Sequence, residues 1–369
     1  MKLSIKTIVI ALILAAIGTN YASAKAKFGC KYVDATTLTI INKAQGNGPI
    51  YRRIDDSKYE MRKSARDFMR HSTGIAITFR TDSRNIYAHW HTELDNYGYN
   101  TTPILHNGLD IYIKENGEWK FAGVAVPKIK RTEHEAALVR HMAEGEKECL
   151  IYLPMFNTIE TLEIGVDKNA YIESTSSPFK HKIVFVGSSI THGASAGHPG
   201  ASYVARLGRA LNAETPNIGL SGKCRLDNYY ADIVCDTKAD AFIFDAFSNS
   251  SAEEIKNRLY NFVERINKAH PGKPLIFLQT LKRDTGYFNL SLRKFNEEQR
   301  EAARKYMAEV CKHFKDVYFI EPGIYVGEDL EGTIDGVHPN DIGTLRTVDN
   351  LLPKLKKILK KYGIKAVKK

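Results

Sequence analysis

Apolar and polar residues alternate with a period of two through much of the first half of the chain. The alternating segments are residues 74–80, 85–91, 109–114, 119–125, 149–153 and 161–166. This pattern is typical of strands with one buried face, and Asn116-Gly117 between two of them suits a tight hairpin turn. Residues 131–144 fit either a helix or an irregular connection. Short strands at this spacing predict an all-β sandwich, jelly-roll-like, over residues 25–174.

The pattern changes after the polar linker Ser174-Thr-Ser-Ser-Pro178. Short apolar runs that predict buried strands lie at 183–186, 216–219, 241–244, 274–278 and 317–320. Segments with helical spacing lie at 202–211, 226–234, 252–269, 292–314 and from about Asp341 towards Tyr362. Such alternation of strands and helices predicts an α/β domain with a doubly wound parallel sheet over residues 175–369.

The first 24 residues have the three parts of a secretory signal peptide. Lys2 and Lys6 precede a short apolar run, and Ala22-Ser23-Ala24 offers a cleavage site, so the mature chain would begin near Lys25. The apolar run is short for a membrane span, and no later segment approaches the roughly 20 apolar residues that a span requires. The sequence therefore predicts an exported protein, periplasmic or extracellular, without a transmembrane segment.

The charge and the cysteine content limit which partners and which metal sites are expected. The chain has 53 basic and 42 acidic residues, a formal charge of +11, but the excess is spread out and does not alternate with aromatic residues. We therefore expect no nucleic-acid partner. The five cysteines show no ligand spacing of the C-x-x-C or Cys/His type, which argues against a zinc site. Cys224 and Cys235 either pair in an oxidising compartment or remain buried free thiols.

The candidate chemistry begins where the first apolar run of the second half meets small residues. A predicted buried strand stops at Gly187, and the following turn presents the hydroxyls of Ser188 and Ser189 at the strand's carboxyl end. Open α/β sheets bind their ligands at this edge. A serine here is a candidate nucleophile, and the alternative is a serine that only caps the following helix.

A second motif, Asp335-Gly-Val-His338-Pro339, follows the last predicted strand. An aspartate three residues before a histidine in a loop can accept a hydrogen bond from the imidazole Nδ1. This bond fixes the tautomer and leaves Nε2 facing a nucleophile. The alternative is a turn stabilised by Asp335, with His338 on the surface.

Two further strand ends are expected at the same edge of the sheet. Gly222 follows the strand predicted at 216–219, and Asn249 follows the strand predicted at 241–244. The backbone N–H groups of Ser189 and Gly222 and the side-chain amide of Asn249 would form an oxyanion hole with three donors. The alternatives are a plain turn at Gly222 and a helix cap at Asn249.

Together these motifs resemble the sequence blocks of the SGNH or GDSL hydrolase family. Gly187-Ser-Ser-Ile-Thr191 is similar to the G-D-S-I-T block, the segment around Gly222 resembles the second block, and Asp335-x-x-His338-Pro339 matches the last. The resemblance extends from about Lys182 to Tyr362. Exported bacterial members with a β-sandwich before the hydrolase domain are similar in organisation.

The resemblance implies a role for each residue. Ser189 is the expected nucleophile, His338 the base and Asp335 its partner, and the expected oxyanion donors are Ser189, Gly222 and Asn249. No metal and no organic cofactor is implied.

The chain departs from the family pattern at two positions. Ser188 replaces the aspartate of the G-D-S block, and the block usually written G-x-N-D is here Asp245-Ala-Phe-Ser-Asn249. We expect Asn249, and not Asp245, to be the side-chain oxyanion donor because an ionised carboxylate cannot donate a hydrogen bond. Asp245 would instead bond backbone N–H groups of the following loop and hold Asn249 in place.

The expected function is that of an exported serine esterase that removes acetyl or another small acyl group from a carbohydrate, so its substrate would be a small ester or an acylated glycan, with lipid esters and thioesters as alternatives. One alternative is acyl transfer to a sugar by the same triad. Another is a non-catalytic glycan-binding protein on the same fold. In that alternative the aromatic residues Trp90, Tyr97, Tyr99 and Trp119 would stack on sugars, although aromatic residues at strand spacing more often belong to a core.

Overall fold

A computed structural model describes residues 29–366, so the predicted signal peptide lies outside the described residues. The strands are β1 (Lys31–Asp34), β2 (Thr39–Ile41), β3 (Ala76–Thr81), β4 (Ile86–Thr92), β5 (Leu109–Glu115), β6 (Glu118–Ala125), β7 (Glu133–Val139), β8 (Lys147–Tyr152), β9 (Ile159–Val166), β10 (Ile172–Ser174), β11 (His181–Gly187), β12 (Ala213–Glu214), β13 (Asn217–Gly219), β14 (Ala241–Asp245), β15 (Leu275–Leu278) and β16 (Val317–Ile320). The α-helices are α1 (Lys63–Arg70), α2 (Pro103–Asn107), α3 (Ser189–His192), α4 (Tyr203–Leu211), α5 (Asn228–Cys235), α6 (Ala252–Ala269), α7 (Leu290–His313) and α8 (Asp341–Leu359).

The strands of the first half form two antiparallel sheets. One has the order β1-β9-β4-β7, and the other has the order β10-β3-β8-β5-β6 with β2 paired to β3. The sheets bury a shared core to which Phe79 and Ile151 contribute from one sheet, and Trp90 and Ile164 from the other. The prediction of a β-rich first half therefore agrees with the structure, and its jelly-roll connectivity stays a prediction.

Residues 131–144 are neither a helix nor an irregular connection, because they contain β7. This strand pairs with β4, and Trp90 lies opposite His134. The buried positions of β7 are occupied by His134 and Leu138, with alanine and glutamate between and beside them. Because a polar histidine occupies a buried position, apolar residues do not alternate with a period of two in this segment. Hydrophobicity alone therefore does not predict the strand.

A parallel sheet with the order β12-β11-β14-β15-β16 forms the centre of the second half, and β13 also pairs with β11. On β11, Ile183 and Phe185 face a core shared with α4 and α8, whereas Val184 and Val186 face a core shared with α5, α6 and α7. Helices cover both faces, so the strands are almost wholly apolar. The prediction of an α/β unit with a parallel sheet is confirmed.

Residues of the first half also enter the core of the parallel sheet. Ile54 and Met69 belong to the core cluster on one face of that sheet. The completely buried guanidinium of Arg53 donates to the carbonyl oxygens of Asn217 at 2.9 Å and Gly219 at 2.8 Å. Burial lowers the pKa of Arg53 to about 9. The two halves thus share both apolar and polar contacts, and the domain division at residues 174 and 175 stays a prediction.

The structure also bears on the cysteines and on membrane association. All five cysteines are free thiols, so Cys224 and Cys235 are not paired, and Cys224 is completely buried in the core. Between residues 29 and 366, no helix combines the length and the apolar character that crossing a membrane requires.

Candidate active site

The turn after β11 presents Ser189 at the carboxyl end of the parallel sheet. Ser188 caps the short helix α3, because its Oγ accepts a hydrogen bond from the backbone N–H of Ile190 at 3.2 Å. Ser189 is the first residue of α3 and is half-buried. A Cβ atom at Gly187 would lie 2.3 Å from Thr191 Oγ1, so this sharp turn requires glycine.

The three residues predicted as a triad are brought together in the expected order. Ser189 Oγ lies 2.8 Å from His338 Nε2, and His338 Nδ1 lies 2.7 Å from Asp335 Oδ2. The second carboxylate oxygen of Asp335 accepts the backbone N–H groups of Val337 at 3.1 Å and His338 at 2.9 Å. Asp335 therefore stabilises the loop and orients the imidazole at the same time.

Asn100, from the first half of the chain, completes the surroundings of Asp335. Its Nδ2 donates to Asp335 Oδ2 at 3.0 Å and lies 3.2 Å from His338 Nδ1. When His338 Nδ1 carries the proton that it donates to Asp335, His338 Nδ1 and Asn100 Nδ2 are both donors and cannot bond each other. The hydrogen bond from Asn100 is therefore to the carboxylate of Asp335. Burial raises the pKa of Asp335, but the hydrogen bonds from His338 and Asn100 outweigh it and lower the pKa overall. The carboxylate is thereby kept ionised.

Two backbone N–H groups at the cleft are without an acceptor in the described part of the chain. Within the described part of the chain, the N–H groups of Ser189 and Gly222 donate to no other group, and both residues line one cleft. Gly222 has φ of +67°, a left-handed conformation that favours glycine, and a Cβ atom there would meet open space. These free donors match the predicted backbone part of an oxyanion hole.

Asn249 also lines the cleft, but one N–H of its side-chain amide already donates a hydrogen bond within the protein. Its Nδ2 donates to the carbonyl oxygen of Lys223 at 2.6 Å, which leaves the second N–H of the amide for a ligand. The bond ties Asn249 to the residue after Gly222. The alternative role as a helix cap is wrong, because Ser251 caps α6 and forms a capping box with Glu254.

Asp245, at the end of β14, is not bonded to the backbone N–H groups of the following loop as expected, although it bonds the hydroxyl of Ser248, the neighbour of Asn249. It is buried and accepts hydrogen bonds from Ser188 Oγ at 2.5 Å, from the Ser188 N–H at 3.3 Å, from Thr191 Oγ1 at 3.1 Å and from the Ser248 hydroxyl. Burial raises its pKa, although these hydrogen bonds act in the opposite direction. The neighbouring strand thus places a carboxylate in contact with Ser188, the residue that stands in place of the aspartate of the G-D-S block.

His192 positions the loop of the second backbone donor, a role that the sequence analysis missed. Its Nε2 donates to the carbonyl oxygen of Met155 at 2.8 Å, and its Nδ1 accepts the N–H of Ser221 at 3.3 Å. Complete burial, with additional repulsion from Arg53, holds the pKa of His192 well below its usual range. The neutral ring stacks on Phe156 with centroids 4.2 Å apart. In the sequence, the feature that points to His192 is its position inside the Gly187–Gly193 segment.

The cleft has a volume of about 560 Å³ and both halves of the chain form its walls. The first half contributes Tyr97, Asn100 and Phe156, and the second contributes Ser189, His338, the candidate oxyanion residues and Arg283. Tyr99 also lines the cleft and is 93% exposed, whereas Trp90 is completely buried in the core. The aromatic set proposed for sugar stacking is therefore divided, and only Tyr97 and Tyr99 lie at the cleft.

Two family profiles match the sequence and together span most of the chain. Residues 180–356 match the GDSL-like lipase/acylhydrolase family, and residues 30–172 match the N-terminus of esterases of the SGNH hydrolase type. The second profile is named for a G-x-D-L-Y motif, which Gly108-Leu-Asp-Ile-Tyr112 at the start of β5 resembles. No curated protein gave a significant match to the chain.

Several solved structures are similar to this chain along nearly its whole length. A protein from Bacteroides ovatus assigned as a GDSL-like lipase is 42% identical, with a TM-score of 0.86 over 90% of this chain and 98% of that one. A salicylyl-acyltransferase from a tetracycline biosynthetic pathway is 18% identical, with a TM-score of 0.70 over 91% and 98%. A family two carbohydrate esterase from Cellvibrio japonicus is 13% identical, with a TM-score of 0.56 over 90% and 98%. The last two likenesses concern the fold alone.

Proposed function

The chain belongs to the GDSL-like lipase/acylhydrolase family, and on this premise we propose that it is a serine esterase with Ser189, His338 and Asp335 as its catalytic triad. The observation that carries the proposal is the continuous hydrogen-bonded path from Ser189 Oγ through the imidazole of His338 to the carboxylate of Asp335. Each of its two contacts has the length of a normal hydrogen bond.

In the proposed reaction, His338 Nε2 takes the proton of Ser189 as Oγ attacks the ester carbonyl carbon. The imidazolium that forms is stabilised by Asp335 through Nδ1. When the tetrahedral intermediate collapses, His338 returns the proton to the departing alcohol and an acyl-serine remains. A water molecule, deprotonated by the same imidazole, then releases the acyl group as a carboxylic acid and restores Ser189.

Negative charge develops on the carbonyl oxygen in both steps. The N–H groups of Ser189 and Gly222 are free to receive it, and the second N–H of Asn249 is the proposed third donor. His192 and the bond from Asn249 to Lys223 hold this loop on both sides of Gly222. Fixed donors are effective because they need no reorganisation when the charge appears.

As the substrate we propose an acyl ester, acetyl in the first place, on a carbohydrate. The cleft is open to solvent at Tyr99, which is 93% exposed, and Tyr97 and Tyr99 offer aromatic faces next to the triad. The family two carbohydrate esterase shares the fold, which supports the class without fixing the sugar. We also retain the proposal that residues 1–24 direct export to the periplasm or the medium.

The proposal is tested by measuring release of free acid by the mature protein from esters of increasing acyl length and from acetylated polysaccharides. We expect the highest kcat/KM for acetyl esters and release of acetate from at least one polysaccharide, with no activity in Ser189→Ala. A clear preference for long acyl chains would contradict the substrate assignment but not the triad. Absence of all hydrolysis would contradict both.

Acyl transfer remains the second candidate because the salicylyl-acyltransferase shares the fold over 91% of this chain. The same acyl-serine would then be attacked by a sugar hydroxyl instead of by water. Product analysis with acceptor alcohols present distinguishes the two. An esterase gives mainly free acid, whereas a transferase gives mainly a new ester.

A further inference from the structure

The outer face of the β1-β9-β4-β7 sheet carries two histidines and a glutamate in contact. His89 and His91 are two positions apart on β4 and flank the buried Trp90, so both side chains point away from the core. Glu133 on β7 lies directly opposite His91. We propose that His89, His91 and Glu133 bind a zinc ion on this face, remote in sequence from the triad.

The separations of the two histidine nitrogens from Glu133 Oε1 suit tetrahedral coordination. His89 Nε2 lies 3.1 Å from Glu133 Oε1, and His91 Nε2 lies 3.8 Å from the same oxygen. Zinc–ligand bonds of about 2.0–2.2 Å in a tetrahedron correspond to ligand separations of roughly 3.3–3.6 Å, which the two observed values bracket. The three ligand atoms all lie within 4.8 Å of one another, so side-chain rotations would bring them to these separations without a change in the strands.

A second glutamate orients the first histidine as an outer-shell partner does in metal sites. Glu163 on β9 lies opposite His89, and its carboxylate is 3.1 Å from His89 Nδ1. A hydrogen on Nδ1 donated to Glu163 leaves the lone pair on Nε2, the atom that faces Glu133. This carboxylate–histidine arrangement is the one that metal-bound imidazoles usually show. Glu135, the other nearby carboxylate, is engaged by the Tyr32 hydroxyl at 3.0 Å.

The cluster is both anchored and accessible. The His89 side chain is only 8% exposed, whereas that of His91 is 31% and that of Glu133 is 50% exposed. An ion can enter from the solvent, and a water molecule can occupy the fourth position. The sequence argument against zinc rested on cysteine spacing, and a His-x-His pair on one strand with a ligand from the next strand was outside that pattern.

Binding would add a further link between the paired strands β4 and β7, at the base of the loop that forms one wall of the cleft. Thr92, the last residue of β4, is already held by the Thr132 carbonyl at 2.8 Å and lies 3.1 Å from His134 Nε2. The chain continues from Thr92 to Tyr97 and Asn100 at the cleft. The ion is therefore expected to stabilise this corner of the protein and to take no part in ester chemistry.

The rival explanation is a plain ion cluster in which a protonated His89 lies between Glu133 and Glu163. Titration of the untagged mature protein, freed of metal by a chelator, with Zn²⁺ in a calorimeter separates the two. We expect one site, loss of at least 10-fold in affinity in His91→Ala and in Glu133→Gln, and unchanged affinity in the control His141→Asn, an exposed histidine outside the cluster. The proposed outer-shell variant Glu163→Gln should lose about 10- to 100-fold.

Two further measurements distinguish a zinc site from a plain ion cluster. Zinc should raise the melting temperature of the wild-type protein and of His141→Asn, but not that of His91→Ala. Cobalt in place of zinc should give the visible spectrum of a tetrahedral site with nitrogen and oxygen ligands. Absence of a single stoichiometric site, or binding that is equal in wild type, His91→Ala and Glu133→Gln, would overturn the proposal. Ester hydrolysis in the presence of the chelator reports separately on the triad.

Discussion

The hydroxyl of Ser188 donates a hydrogen bond of 2.5 Å to the buried carboxylate of Asp245, which lies at the end of the neighbouring strand. Ser188 immediately precedes the candidate nucleophile, so this bond fixes the turn on which Ser189 is presented. Thr191, two residues beyond Ser189, donates to the same oxygen at 3.1 Å. One carboxylate therefore holds the turn on both sides of the nucleophile.

We expect Asp245→Asn to change how stability depends on pH. Burial raises the pKa of Asp245 above its ordinary value of 3.8, so the folded state favours the protonated carboxyl more than the unfolded state does. The stability that results from this difference is complete below pH 3.8 and is lost as the pH rises through the folded-state pKa. The asparagine variant has no such titration. The difference in melting temperature, wild type minus variant, should therefore decrease as the pH rises above 3.8. A constant difference would show that the carboxyl does not titrate differently in the folded protein.

His338→Ala should impair hydrolysis more than Asp335→Asn. Loss of the base removes proton transfer, which contributes about 10²- to 10⁴-fold, whereas loss of the orienting carboxylate leaves an imidazole that can still reach the productive tautomer part of the time. The measurement is kcat/KM on an unactivated acetyl ester. Nearly full activity of His338→Ala would refute the triad assignment.

Asn100→Ala tests whether the first half of the chain contributes to the site. The variant loses the 3.0 Å bond to Asp335 Oδ2, so the pKa of Asp335 should rise and the imidazole should be less firmly oriented. We expect a decrease in kcat/KM that is smaller than the effect of Asp335→Asn. Because Tyr99 is proposed to contact only the sugar, Tyr99→Ala assayed on a small ester without a sugar is the control, and it removes an exposed side chain of the same wall. An effect of Asn100→Ala as small as that of Tyr99→Ala on a small ester would exclude the positioning role.

Asn249→Ala should slow acylation by about 10²- to 10³-fold, the usual cost of removing one oxyanion donor. Since its amide also bonds the Lys223 carbonyl oxygen, some loss of order around Gly222 is part of the expected effect. The measurement is the acylation rate in single-turnover experiments, with the melting temperature as a check on folding. Acylation at the wild-type rate would leave the oxyanion hole with backbone donors only.

The strand ends and the positions of the candidate triad could be predicted because each depends on local sequence. The apolar run of β11 is buried on both faces and ends abruptly at Gly187. Asp335 and His338 lie in one short loop. Asn100 could not be predicted in the same way because it lies 235 residues from Asp335 and reaches it only through packing of the two halves.

The polar partners inside the protein were the other features that the sequence did not indicate. Asp245 departs from the family pattern in the sequence, but its bond to Ser188 spans 57 residues and depends on the parallel register of β11 and β14. His192 was hidden because a buried neutral imidazole has no periodic signature. The strand β7 was missed because His134 occupies a buried position where an apolar residue is expected.

The central claim, that Ser189 is the nucleophile, is tested most directly by treating the protein with a fluorophosphonate and mapping the adduct by mass spectrometry. We predict one adduct on Ser189 in the wild-type protein, no adduct in Ser189→Ala, and labelling retained in Ser188→Ala. The last variant should also be less stable by about 1–3 kcal/mol, because a buried hydrogen bond to Asp245 is lost. An adduct on Ser188, or ester hydrolysis that persists in Ser189→Ala, would contradict this account.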